Sequence, residues 1–77
     1  MTEQQRQYAY SVGEEILQQP EGRNIKIYTS IELIRIQDTE HNENYRMLVV
    51  CKSDTEKTIR SKMLKLYEEM RKQNEKD

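Results

Sequence analysis

The most reactive side chains in this sequence are one thiol and one imidazole. Cys51 follows a run of apolar residues, and His41 lies in a polar segment with Asp38, Glu40 and Glu43. A cysteine nucleophile needs a neighbouring base or another group that lowers its pKa. A hairpin through the polar segment would separate the thiol from the imidazole by about a strand length, ~20–25 Å. The pair therefore does not predict a nucleophilic site.

The same imidazole and its three acidic neighbours are ligand types that divalent metals accept. Their spacing is irregular, and a hairpin loop does not readily point four side chains inward. The chain also has only two glycines, Gly13 and Gly22, so no glycine-rich phosphate loop is present. We therefore expect a polar loop, no metal site, no cofactor, no catalytic residues and no enzymatic activity.

A second set of candidates is a short basic segment that contains no acidic residue. Residues 52–77 carry eight basic and six acidic side chains, whereas residues 1–51 carry five and eight. Such a segment on a helix can bind phosphates, which would make the protein a nucleic-acid-binding regulator. On a helical wheel, however, the four cations spread around most of the polar side, which favours a solvated face. The four residues are Lys57, Arg60, Lys62 and Lys65.

The elements that must position these side chains belong to a single small domain. Apolar residues make up 34% of the 77 residues, against about 45–50% in an average globular domain. The net charge is only −1, and the apolar residues are clustered, so we expect a folded chain with little stability to spare. That small margin favours a homodimer or a complex with a protein partner.

The first element is predicted to be a helix over residues 2–19. Thr2 and Gln5 have the spacing of a capping box, and apolar residues recur at helical intervals. Gly13 interrupts this pattern, either as a simple weakness or as the site of close contact between helix and sheet. Pro20 ends the helix, and a turn is expected over residues 20–23.

Residues 24–52 are predicted to form the β region. Alternation places Ile25 and Ile27 on one side, but the apolar phase changes between Leu33 and Ile34. A β-bulge would restore one inward face within a single long bent strand, whereas a turn near residues 28–30 would divide the segment into two strands. We favour the bent strand. After a polar hairpin loop, residues 45–51 form a strand that is apolar on both sides, which indicates cover on both faces.

The last element is predicted to be a helix over residues 54–73, followed by a frayed tail over 74–77. Ser53 and Glu56 have the spacing of a capping box. The apolar stripe fits a helix that covers the sheet better than a coiled-coil seam, because two heptads are too few for a coiled coil. Leu64 lies beside the stripe and either widens it or forms an exposed patch. The stripe consists of Ile59, Met63, Leu66 and Met70, with Tyr67 beside it.

These elements predict an α+β fold of the α-β-β-α type, in which two terminal helices pack on an antiparallel sheet of two or three strands. We expect a non-enzymatic protein-interaction module, a regulator, adaptor or inhibitor, that binds through its surface or through a sheet edge. With one cysteine and no segment that could span a bilayer, the expected location is the cytoplasm and no membrane partner is expected. The predicted contact residues are Ile25, Ile27, Tyr28, Leu48, Val50 and Leu64.

Overall fold

The structure is a computed structural model that describes residues 1–20 and 24–76, with side chains described up to residue 73. A helix is followed by three antiparallel strands and a second helix, so the predicted α+β class is confirmed, with three strands rather than two. The strands lie in the order of the sequence, β1-β2-β3. The elements are α1 (Glu3–Leu17), β1 (Ile25–Thr29), β2 (Leu33–Asp38), β3 (Tyr45–Val49) and α2 (Glu56–Lys76).

Helix α1 begins with the predicted capping box. The Thr2 hydroxyl accepts the Gln5 N–H at 3.1 Å, and the Gln5 side chain accepts the Thr2 N–H at 3.0 Å. The helix ends at Leu17, two residues earlier than predicted, and the turn predicted over residues 20–23 falls largely outside the described residues. Gly13 is buried against β1, which confirms the close contact between helix and sheet.

The predicted long bent strand is wrong, because a tight turn divides it into β1 and β2. The Ser30 N–H donates to the Leu33 carbonyl at 2.9 Å and closes the turn. Ile31 lies in this turn and is 77% exposed, although its side chain is among the most apolar in the chain. The turn therefore explains the change of apolar phase that the bulge was meant to explain.

The β2–β3 connection is held by two buried polar side chains. Asp38 accepts the backbone N–H groups of Glu40 and His41, at 2.9 and 3.2 Å. The Asn44 amide donates to the Met70 carbonyl of α2 at 3.3 Å. These bonds satisfy polar groups that would otherwise be costly to bury, and they fix the loop against the second helix.

Helix α2 begins two residues later than predicted. Its first turn is capped by Thr55 and Thr58, each of which accepts the other's backbone N–H, at 3.3 and 2.8 Å. The capping box expected at Ser53 is therefore not the one that forms. Helical structure continues to Lys76, beyond the predicted end at residue 73.

Both helices pack on the same face of the sheet. Helix α1 contacts β1, and α2 contacts β3 and β2, while the two helices contact each other. The predicted stripe of α2 is confirmed as core, with Leu66 only partly buried. The buried apolar side chains are Ala9, Val12, Ile16, Ile25, Ile34, Ile36, Leu48, Val50, Ile59, Met63, Tyr67 and Met70. The other face of the sheet has no layer over it in the described part of the chain.

Candidate protein-interaction surface

The uncovered side of the sheet, which we call the outer face, is formed by alternate residues of the three strands. Because successive side chains of a strand point to opposite sides, burial of one set beneath the helices leaves the other set facing away. The strand register aligns this second set into continuous rows across the sheet. The outer face consists of Lys26, Tyr28, Leu33, Arg35, Gln37, Tyr45, Met47 and Val49.

Most of the outer face is apolar. On β3, Met47 and Val49 are 53% and 57% exposed, and Tyr45 is 45% exposed. Leu33 lies directly opposite Val49 in the β2–β3 register. Single exposed apolar residues are common on protein surfaces, but a contiguous group on one face is typical of an interaction site. The whole outward row of β3 belongs to such a group.

The polar part of the outer face is cationic. The Arg35 guanidinium lies 4.4 Å from the centre of the Tyr28 ring, and the Lys26 ammonium lies 5.2 Å from it. Arg35 is also the direct cross-strand partner of Tyr28, so strand pairing itself brings the guanidinium to the ring. Cation–π attraction holds the three side chains together. None of the eight outer-face residues is acidic, and the face therefore carries a local positive charge.

The concavity on this face is shallow. A depression of about 260 Å³ lies between Tyr28, Leu33, Arg35 and Met47. Pockets that enclose drug-sized ligands usually measure about 300–1,000 Å³ and bury most of the ligand surface. The outer face therefore suits contact with another macromolecule better than enclosure of a small molecule.

The free edge of β3 adjoins this face and offers backbone hydrogen-bonding groups. The Val50 N–H donates to the Glu32 carbonyl at 2.7 Å, in line with the β2–β3 register. In an antiparallel ladder, hydrogen-bonded and non-hydrogen-bonded pairs alternate. The backbone groups of Leu48 therefore also point to β2, whereas those of Met47 and Val49 point to the free edge.

The structure corrects the choice of side chains predicted to form the contact. Ile25, Leu48 and Val50 are buried in the core beneath the helices, and Ile27 is partly buried there. Leu64 is also partly buried against the core rather than forming an exposed patch. Of the six predicted residues, Tyr28 is the one on the outer face.

Four other apolar outer-face residues were not predicted from the sequence, and those on β3 form the row opposite Leu48 and Val50. Leu33, Tyr45, Met47 and Val49 all lie on the outer face. The signal for three of them was present, because β3 is apolar on both sides. Alternation alone does not say which of two apolar rows faces the helices.

Two of the four cations proposed for nucleic-acid binding are held in ion pairs within the chain. Both terminal nitrogens of the Arg60 guanidinium donate to the Glu15 carboxylate, which joins α2 to α1. These hydrogen bonds lower the pKa of Glu15 and raise that of Arg60. The Lys62 ammonium lies 3.0 Å from both carboxylate oxygens of Asp54. Lys57 and Lys65 are exposed on α2.

Asp54 is the centre of a small polar cluster before α2. The Cys51 N–H donates to its carboxylate at 2.8 Å, and the Thr58 hydroxyl lies 3.0 Å from it. The bond from Cys51 makes the largest contribution to lowering the pKa of Asp54, followed by the hydrogen bond from Lys62. The carboxylate thus serves to fix the connection between β3 and α2.

The chemically reactive residues do not meet in the structure. Cys51 is an exposed free thiol just after β3, whereas His41 lies in the loop before it. Within residues 1–20 and 24–73, where side chains are described, no three His, Cys, Asp or Glu side chains lie close enough together to hold a metal ion. None of the described helices has the length and apolar character needed to cross a membrane.

Comparisons of the chain with protein-family models, with curated proteins and with solved structures found no match.

Proposed function

We propose that this protein is a non-enzymatic interaction module, a regulator, adaptor or inhibitor, that binds another protein surface through the outer face of its sheet. The observation that carries the proposal is the exposed apolar row of β3, Tyr45, Met47 and Val49, on a sheet face that no described element covers. Covering these side chains would remove apolar surface from water, which is the main source of free energy in protein association.

The arrangement of charge and aromatic groups agrees with this role. Interface cores are enriched in Tyr, Met and Arg and depleted in acidic residues. The outer face has this composition, with Arg35 and Tyr28 stacked beside Met47. A stacked guanidinium is held by the ring before binding, so less side-chain entropy is lost when a partner covers it.

We do not extend the proposal to nucleic acid. The predicted nucleic-acid site on α2 has four cations, and two of them are paired with carboxylates: Arg60 with Glu15 and Lys62 with Asp54. Neutralised cations attract phosphate less, and Glu68 and Glu69 lie just beyond the segment. The remaining cations, Lys57 and Lys65, resemble an ordinary solvated helix face.

Site-specific photocrosslinking tests the proposed surface. A photoreactive amino acid at Gln37, on the outer face of the central strand, should yield a covalent adduct with a protein when cells of the native host are irradiated. The same probe at Lys65 should yield no adduct, because Lys65 is exposed on α2, on the opposite side of the sheet from the proposed contact. Equal adducts at both positions, or none at Gln37, would contradict the proposal.

A double variant, Tyr28→Glu with Val49→Glu, provides the matched control. Both side chains are exposed, so the charges should leave folding largely intact while placing two carboxylates in the apolar contact. We expect the adduct from the Gln37 probe to disappear and the circular dichroism spectrum to remain unchanged. An adduct that persists in the folded variant would place the contact elsewhere.

A further inference from the structure

We infer that the partner at the free edge of β3 is a second copy of this chain, so that two sheets join edge to edge into one sheet of six strands. This inference rests on the proposed function, because it names one partner of the same interaction module. Two observations carry the inference: the free backbone groups of β3 and the distribution of charge. Neither depends on the exposed apolar area that supports the proposed function.

The backbone of β3 presents a short, regular set of unused groups. The N–H and C=O groups of Met47 and Val49 point to the free edge, and no element of the described chain lies along that edge. Tyr45 differs, because its carbonyl already accepts a hydrogen bond from Arg46 at 2.8 Å. The unoccupied stretch is thus centred on Leu48.

An antiparallel pair related by a two-fold axis at Leu48 uses this stretch completely. Met47 of each copy then lies opposite Val49 of the other, and the two residues exchange both backbone hydrogen bonds. Four intermolecular bonds result, one for each free N–H group of Met47 and Val49 in the two copies. A two-fold axis also closes the assembly as a dimer and leaves no unpaired β3 edge for further addition.

The side chains of β3 are compatible with this register on both sides of the sheet. On the outer face, each Met47 meets Val49 of the other copy, and both are apolar. On the inner side, the Leu48 side chains of the two copies face each other. Arg46 of each copy, whose guanidinium is bonded to Asn44 and Gln73, lies opposite Val50 of the other. The apolar cross-strand pairs contribute to sheet stability.

The charges favour edge pairing over stacking of two outer faces. Face-to-face stacking would bring two cationic surfaces together, each with Lys26 and Arg35 and without an acidic residue. In the edge-paired dimer, Arg35 of one copy is separated from its equivalent by three strand spacings, about 14 Å. That distance exceeds the ~8–10 Å over which exposed charges interact at physiological salt.

The ends of β3 are complementary in the same arrangement. Glu43 lies just before β3, and Lys52 lies just after it; both are exposed. Antiparallel pairing brings the acidic end of one β3 beside the basic end of the other. We therefore expect association to weaken when salt is raised.

A pair of variants at Val49 separates the backbone contact from the side-chain contact. Val49→Pro removes an N–H that the β2–β3 ladder does not use, a position at which proline is tolerated in edge strands. Val49→Ala shortens the side chain but keeps this N–H. Sedimentation equilibrium at chain concentrations from micromolar to millimolar should show that the wild type forms a dimer. In Val49→Pro the dissociation constant of this dimer should rise at least ~30-fold, because two hydrogen bonds are lost. In Val49→Ala we expect a rise of less than ~10-fold.

Cysteine crosslinking provides an independent measurement that does not depend on how proline affects the strand. Met47→Cys in a Cys51→Ser background should be joined to its copy by a short bifunctional maleimide. Ser61→Cys in the same background is the control, because Ser61 is exposed on α2, away from the proposed contact. We expect covalent dimer from the Met47 variant at least ~10-fold faster than from the Ser61 variant.

The outcomes distinguish this inference from the proposed function. A wild-type chain that remains monomeric up to millimolar concentration, equal dissociation constants for the two Val49 variants, or equal crosslinking at residues 47 and 61 would each overturn the edge-paired dimer. If the Gln37 photo-adduct to another protein persists in that case, the proposed function stands without it. If a monomeric chain loses this adduct in Val49→Pro, the edge belongs to a different partner and the second copy is excluded.

Discussion

Gly13 sets the distance between α1 and β1. A Cβ atom built at this position would lie 2.6 Å from Cγ1 of Ile27, closer than carbon atoms in proteins approach. Cγ1 is attached directly to Cβ of Ile27, so it cannot move away without a change of rotamer or of the backbone. The glycine is therefore required by packing, even though it weakens the helix in isolation.

The first prediction follows from this contact. Gly13→Ala should lower the free energy of unfolding by about 1 kcal/mol, because overpacking costs about 1–3 kcal/mol and the gain in helix propensity returns about 1. In an Ile27→Ala background, which lacks Cγ1, Gly13→Ala should instead raise the free energy of unfolding. Urea unfolding measures both, with Ser11→Ala on the exposed side of α1 as control. A gain in stability from Gly13→Ala in the wild-type chain would contradict the prediction.

Asp54 determines a second prediction, which concerns pH. Because hydrogen bonds from Cys51 N–H and Lys62 lower its pKa in the folded state, the carboxylate stabilises the fold above its unfolded pKa, ordinarily about 3.9. That contribution is lost as pH falls through the lowered pKa of the folded state. Asp54→Asn should therefore be less stable than the wild type at neutral pH, and the difference should shrink below about pH 4 and vanish at still lower pH.

Thermal unfolding across this pH range measures the effect. Lys62→Gln is the matched comparison, and it should cause a smaller loss, since the Cys51 N–H makes the larger contribution to the lowered pKa. If the stability difference between Asp54→Asn and the wild type stays constant down to pH 2, protonation of the Asp54 carboxylate is not linked to folding.

At the scale of the elements, the start of α2 gives a direct test of which cap forms. Thr55 accepts the Thr58 N–H, whereas the predicted cap, Ser53, lies two residues before it. Thr55→Ala should lower the free energy of unfolding by about 1 kcal/mol, the usual cost of losing an N-cap hydroxyl. Ser53→Ala should change it by less than ~0.5 kcal/mol. Urea unfolding that ranks the two variants in the opposite order would restore the cap predicted from sequence.

The elements also show which features of the fold the sequence could predict. The capping box at Thr2 and the apolar stripe of α2 are local patterns, and both were correctly predicted. The β1–β2 turn was not preferred, because the Thr-Ser pair in the turn considered near residues 28–30 is poor chemistry for a tight hairpin. The turn forms at residues 30–32, where no Gly, Pro or Asn marks it, and leaves Ile31 exposed. Its backbone is instead fixed by pairing of the flanking strands.

The candidate surface was harder to predict than the fold. Both rows of β3 are apolar, and the row that becomes core is decided by where α2 packs. That contact joins residues far apart in sequence, so no local pattern reveals it. The two apolar rows of β3 predicted cover on both faces. The helices cover one face, and cover of the other stays a prediction.

At the scale of the whole molecule, Gln5 connects the start of α1 to the segment that precedes α2. Its buried side chain donates to the carbonyls of Cys51 and Asp54, at 2.9 and 3.0 Å, while its oxygen accepts the Thr2 N–H. The same residue therefore caps α1 and anchors that helix to the segment before α2.

This connection gives the fourth prediction. Gln5→Met keeps the size of the side chain but removes its donors and acceptor, and should lower the free energy of unfolding by about 1–3 kcal/mol, the cost of leaving buried polar groups unpaired. Gln4→Met, on the exposed side of the same turn, is the control and should have little effect. Hydrogen exchange should show faster exchange of the Cys51–Asp54 segment in Gln5→Met. Unchanged exchange would mean that Gln5 does not hold this segment.

The long separation of these contacts along the sequence also affects folding during synthesis. Helix α1 leaves the ribosome before the other elements and can meet β1 early. Gln5, however, bonds to Cys51 and Asp54, which follow it by 46 and 49 residues, and Glu15 pairs with Arg60, which follows it by 45 residues. Until those residues have been translated, the apolar side of α1 has only part of its cover. At that stage the nascent chain exposes apolar surface of the kind that chaperones bind.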